Sequence, residues 1–244
     1  MISKNELKLI KSLKVKKYRV REKRFLVEGA KNVLELIKSE YVTDQVLCTK
    51  DFYGINERYL KDLNTHIVGE KVLEDTGTFK TNSTCLAVAR SEEQTAEDID
   101  KTKQIFALDG VSDPGNLGTI IRTLDWFGFD QLVCSPDSAE FYNPKVINST
   151  MGSFTKVIVC YTDLGKFLSE CNLPVYGAEM KGLNLFDSKI DDPSIIVMGS
   201  ESHGLSEKLK AELDFSISIP RFGEAESLNV ATATGVIASY LRIR

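Results

Sequence analysis

Three short stretches hold residues whose types and spacing could do chemistry. The first is "DPGNLGTIIR", Asp113 to Arg122, which follows the apolar run "IFAL" and opens a helical pattern. It has neither the G-x-G-x-x-G of a dinucleotide turn nor the G-x-x-x-x-G-K of a phosphate loop. Arg122 follows Gly118 by four, so the two share a helix face. A guanidinium there is a fork for phosphate or carboxylate. The plainer alternative is Asn116 as helix N-cap and Arg122 as a surface cation. The second stretch is "IIVMGSESHGLS", Ile195 to Ser206. A buried strand ends at Gly199, and a loop with Glu201 and Gly204 follows. Glycines there allow backbone to approach a ligand closely. Glu201 could organise backbone amides or accept from an Arg, or could simply begin a helix, and His203 reads as a loop residue. The third stretch is "ISIPRFGEAESLNVATATG", Ile217 to Gly235. A strand ends at Pro220, and Ser227 and Asn229 stand where a helix starts. Ser227 is a candidate hydroxyl ligand or a simple N-cap. Ala231, Ala233, Gly235 and Ala238 keep that helix thin enough for a tight crossing or a subunit interface.

These loops need a frame, and the pattern of the chain supplies one. Residues 5–20 read as one helix, Phe25 to Val27 as a strand and Ala30 to Ser39 as an amphipathic helix. Strand and helix go on alternating to "TCLAVAR", which makes residues 1–92 a small α/β unit. The polar stretch 93–103 suits a linker. From residue 104 the strands "QIFALDGV", "QLVCS", "KVIVC", "PVYGAEM", "SIIVMGS" and "FSISIP" are apolar without alternation and are separated by helices. That pattern implies a parallel sheet covered on both faces over 104–244. In such sheets ligands bind beyond the carboxyl ends of the strands, where all three stretches lie.

Composition narrows the partners. Of 244 residues 42% are hydrophobic, enough for a core without disulfides or metal. No run reaches the roughly 18 to 20 apolar residues of a membrane span, and the charged first twenty residues do not fit a signal peptide. Five widely spaced cysteines without a C-x-x-C read as reduced thiols of a cytoplasmic protein. With only His66 and His203 as histidines, no metal site is expected. The net charge of −4 hides an asymmetry: residues 1–24 hold ten Lys or Arg against two Glu, a local +8, which leaves −12 elsewhere. A basic arm on an acidic body suggests a polyanion met by one end. Lys14, Lys16, Lys17, Arg19, Arg21 and Arg24 are the candidate contacts to such a polyanion, a nucleic acid first.

Taken in order, N-x-G-x-x-x-R (Asn116, Gly118, Arg122), G-x-E-x-x-G (Gly199, Glu201, Gly204) and I-P…G…S-L-N-V (Ile219, Pro220, Gly223, Ser227 to Val230) resemble the SpoU (TrmH-like) family of RNA ribose 2′-O-methyltransferases of the SPOUT class. The resemblance covers Gln104 to Arg244, and "FLVEG" resembles the small RNA-binding domain that many members carry in front. It implies an α/β fold, a parallel sheet flanked by helices with a C-terminal trefoil knot, preceded by the small α/β domain. It implies S-adenosylmethionine held by Gly199, Ile219 and Leu228, with Ala178 and Gly204 beside them, and a homodimer in which Arg122 reaches the site near the other copy's cofactor. Arg122, Asn116, Glu201, Ser227 and Asn229 would be the catalytic set. A guanidinium is effectively never deprotonated in proteins, so clamping a phosphate and stabilising an alkoxide suits Arg122 better than acting as base. Ser202 and His203 stand where many members have a further Gly. Ribosomal RNA comes ahead of transfer RNA, because the separate first domain resembles that of rRNA-modifying members. The alternatives are a non-catalytic RNA-binding protein that keeps the fold and an unrelated α/β enzyme for a nucleotide or sugar phosphate.

Overall fold

The computed structural model describes residues 2–243. It has two units: residues 1–92 with 140–155, and residues 93–139 with 156–244.

The first unit begins with α1 (Lys4–Ser12) and α2 (Lys16–Glu22). Ser3 and Glu6 form a capping box at the start of α1. The single helix expected over residues 5–20 is thus two. It breaks because Leu13 follows Ile10 into the core, and β-branched Val15 then turns extended, with φ −101° and ψ 128°. The break frees the carbonyls of Leu13 and Lys14. Arg19 Nη1 donates to both, at 2.9 Å each, and its guanidinium also pairs with Glu140. Arg19, expected among the RNA-contacting cations, is therefore only 4% exposed. It closes the end of α1.

There follow β1 (Arg24–Glu28), α3 (Ala30–Ile37), β2 (Thr43–Cys48), α4 (Lys50–Leu60), β3 (Thr65–Ile67), α5 (Glu70–Thr76) and β4 (Cys85–Arg90). The sheet order is β1-β4-β2-β3, with β4 antiparallel to both neighbours and β2 parallel to β3. A bulge between Thr43 and Gln45 lets Asp44 accept from both Arg24, at 2.5 Å, and Arg90, at 2.9 Å. Glu28, in the "FLVEG" stretch, is buried and accepts the backbone N–H groups of Thr78 and Phe79.

In the second unit β5 (Ile105–Asp109) leads through α6 (Pro114–Trp126) to β6 (Gln131–Cys134). The chain then returns to the first unit for α7 (Pro144–Thr150), which packs against β1. Phe25 meets Tyr142 at 4.5 Å and Phe154 at 6.1 Å between ring centres, and these contacts carry residues 140–155 into the first unit's core. Sequence grouped them with the second. The remaining elements are β7 (Ile158–Tyr161), α8 (Leu164–Glu170), β8 (Val175–Asn184), β9 (Ile195–Gly199), α9 (Glu207–Lys210), β10 (Phe215–Ser218) and α10 (Val230–Ile243). The six strands lie in the order β10-β8-β9-β5-β6-β7, every neighbouring pair parallel. Helices on the unit's sheet leave Ile105 to Leu108 and Ile195 to Val197 fully buried, which is why these strands read as unbroken apolar runs. The expected linker is also ordered into this unit. Ile99 joins the core, and the Asp100 N–H and C=O both bond the Gln131 side chain, at 2.9 and 2.8 Å. One apolar anchor and one amide pair suffice to pin a polar stretch.

All five cysteines are buried free thiols. Burial pushes Cys48 and Cys160 up to about 11, far from the thiolate form that reacts.

Candidate active site

The three stretches meet at the carboxyl edge of the second unit's sheet. Asp113, not Asn116, caps α6: its carboxylate accepts the Asn116 N–H at 2.8 Å, with Pro114 in the first helical turn. The Asp-Pro pair was the signal for this cap. It frees the Asn116 side chain for longer-range work. Asn116 Nδ2 donates to the Glu201 carboxylate, and Asn116 Oδ1 accepts from Asn229 Nδ2 at 2.9 Å. Asn229 Oδ1 in turn accepts the N–H groups of Ala231, at 3.0 Å, and Thr232, at 3.3 Å. Asn229 is therefore the N-cap of α10, and Ser227 is not. One amide, Asn116, ties the second stretch to the third.

The second stretch is a tight turn. Ser200 and Gly204 exchange backbone hydrogen bonds of 3.0 and 2.9 Å, and Gly204 has φ +66°. A Cβ on Gly199 would fall 2.2 Å from the Gly204 carbonyl carbon. Only glycine fits there. Asp109, at the end of β5, accepts the Ser206 N–H at 2.7 Å and fixes the exit of the turn. A carboxylate closing a strand has no sequence signal of its own, and Asp109 was missed for that reason.

Against this turn lies a cavity of about 730 Å³. Gly199, Gly204, Ala178, Ile219 and Leu228 all line it, as do Glu201 and Ser227. Its floor is apolar, with Met198, Leu205, Ile217 and Ile237. Asn116 and Asn229 stand behind the wall and hold it. Arg122 is exposed on α6, off the cavity lining, and forms no ion pair among the described residues.

The basic arm belongs to the first unit. Lys16 and Lys17 are exposed. Arg21 is exposed, pairs with Glu22 and lies 4.9 Å over the Tyr18 ring. Lys14 is half-buried, and burial lowers its pKa. Arg24 is tied to Asp44.

Comparison with known proteins gives this geometry its kin. Residues 103–239 match the SpoU rRNA Methylase family, and residues 4–87 match an MRM3-like substrate binding domain. The 23S rRNA (guanosine(2553)-2′-O)-methyltransferase RlmP of Bacillus subtilis is 31% identical over 95% of this chain and 94% of its own length. A solved structure from Porphyromonas gingivalis, assigned to the TrmH family of RNA methyltransferases, is 32% identical, with a TM-score of 0.87 over 100% of this chain and 99% of that one. An AdoMet-bound rRNA methyltransferase from Sinorhizobium meliloti shares the fold, with a TM-score of 0.88 at 24% identity over 100% of this chain and 96% of that one. On a matched span of more than half its length, and on a relative matched nearly end to end, the chain belongs to the SpoU rRNA methylase family.

Proposed function

We propose that the protein transfers a methyl group from S-adenosylmethionine to a ribose 2′-hydroxyl of a structured RNA, ribosomal RNA ahead of transfer RNA. The observation that carries the reading is the Glu201–Asn116–Asn229 relay at the wall of a cavity with an apolar floor, bordered by a glycine-only turn. The named activity of the Bacillus subtilis relative supports it. The cavity suits the cofactor. Its floor takes an adenine face, the backbone of the second and third stretches offers donors and acceptors for polar edges, and Glu201 places a carboxylate where a cationic group would sit. Bound there, S-adenosylmethionine supplies a methyl group already activated by its sulfonium.

The chain's own residues do the rest. Gly199, Ile219 and Leu228, with Ala178 and Gly204, hold the cofactor. Asn116 and Asn229 fix the two loops in register, and Glu201 and Ser227 orient groups at the mouth. Arg122 clamps the phosphate beside the acceptor ribose and stabilises alkoxide character on O2′ while the hydroxyl proton passes to solvent water, since a guanidinium is not a base at neutral pH. Arg122 stands off its own cavity, which supports a homodimer in which it serves the cavity of a second copy. The C-terminal segment forms the trefoil knot of the class, and the protein works in the cytoplasm. The first unit grips RNA through Lys14, Lys16, Lys17 and Arg21.

Incubation with tritiated S-adenosylmethionine and unmodified rRNA or tRNA tests this. The expected outcome is label in rRNA, in a linkage that resists alkaline cleavage. Label in tRNA alone would move the substrate class. Absence of both label and cofactor binding would leave the non-catalytic RNA-binding reading.

A further inference from the structure

Phe222 is 96% exposed, more than any other large apolar side chain of the described residues. An aromatic ring left in water forgoes the stabilisation that burial normally gives it. This ring makes no aromatic contact among the described residues, yet it lies on the lining of the 730 Å³ cavity. It stands in a loop whose residues 221–229 are all exposed. The loop still has structure: the Arg221 guanidinium donates to the Ala225 carbonyl at 3.3 Å and spans its base. Both Arg221 and Phe222 lie on the lining of the cavity to which the proposed function assigns the reaction.

We infer that Phe222 is a stacking platform for the base attached to the acceptor ribose, and so a residue that positions the substrate. The inference rests on the RNA methyltransferase reading above. Unpaired bases in RNA loops and bulges are commonly splayed out and laid on aromatic rings. A ribose hydroxyl presented to a cavity wall carries its own base with it, and Phe222 is the exposed ring at that wall. Such stacking is sequence-tolerant and is lost on truncation, by about 5- to 150-fold per base.

The test compares the wild type with Phe222→Ala, Phe222→Leu and Phe222→Trp, using an unmodified 23S rRNA transcript and S-adenosylmethionine. The readouts are kcat/KM for RNA, cofactor affinity and subunit number in solution. The expected result is a loss of about 5- to 150-fold in kcat/KM for both Ala and Leu, near wild-type rates for Trp, and no change in the other two readouts. Leu equal to wild type would overturn stacking, because apolar bulk alone would then suffice. Weakened cofactor binding in the Ala variant would make the ring a lid on the cofactor, and a changed subunit number would make it an interface residue. Both results overturn the inference. If the wild type methylates neither rRNA nor tRNA, the functional reading fails first. Equilibrium binding of the same labelled transcript then decides the stacking separately: equal affinities for wild type and Phe222→Ala would overturn it.

Discussion

Arg122 presents a guanidinium on α6 that forms no ion pair among the described residues, while Asn116, two turns earlier, is hydrogen-bonded at both ends of its amide. The parts proposed for them differ accordingly: Asn116 bonds two loops together, and Arg122 is assigned to the substrate. Replacing Arg122 by Ala should lower kcat roughly 10²- to 10³-fold, the usual loss for a donor aimed at developing negative charge. Lys in its place should recover part of the rate, since charge returns without the fork. Cofactor affinity should stay unchanged in both variants. Single-turnover methylation with a cofactor titration checks this, and an Ala variant at wild-type speed would remove Arg122 from the mechanism. The sequence made the residue types at this site legible and hid some of their duties. Asp113 takes the cap expected of Asn116, and Asn229 takes the one weighed for Ser227. Each cap goes to the side chain that reaches the first free amides of its helix, so a shift of two or three residues in a helix start reassigns it.

The bulge in β2 shows what an element can do with one extra residue. Arg24 and Arg90 stand opposite each other across β1 and β4, a like-charge pair that would weaken the sheet. Asp44, displaced by the bulge, bonds both. Burial raises its pKa, but the hydrogen bonds and charges of the two guanidinium groups outweigh that, and the net shift is downward. A depressed carboxyl binds protons more readily in the unfolded chain, so its stabilisation holds above the ordinary value near 4 and is lost as pH falls below it. Acid unfolding of the wild type, monitored by circular dichroism below pH 4, should therefore be steeper than that of Asp44→Asn. Identical acid profiles would show that the pair does not hold the strands. No periodicity announces such a bulge. The parallel strands, by contrast, were readable because burial on both faces leaves no polar residue to interrupt them. Arg19 was misjudged because charge counting cannot see a helix break whose carbonyls need a donor.

At the scale of the whole molecule, the proposed homodimer makes a prediction, since Arg122 is not among the residues that line the cavity. Gly199→Ala should empty the cavity of function, since its Cβ would collide with the turn at 2.2 Å, and Arg122→Ala should disable the clamp. In an equimolar mixture exchanged to equilibrium, about half the dimers are mixed, and each holds one intact site of two. About a quarter of wild-type activity should return. Mixed dimers seen by mass and yet inactive would place Arg122 in the cavity of its own chain.

Residues 140–155 fold with a unit that the chain left at residue 92. This imposes an order in time. As the polypeptide leaves the ribosome, the partners of Arg19 and Phe25 are still unmade when α1 to β4 are complete, because Glu140, Tyr142 and Phe154 come later. The strand–helix–strand run of β5, α6 and β6 emerges in between. The first unit to begin is thus unable to finish until residues 93–139, the opening stretch of the second, have been made, and its maturation waits on that synthesis.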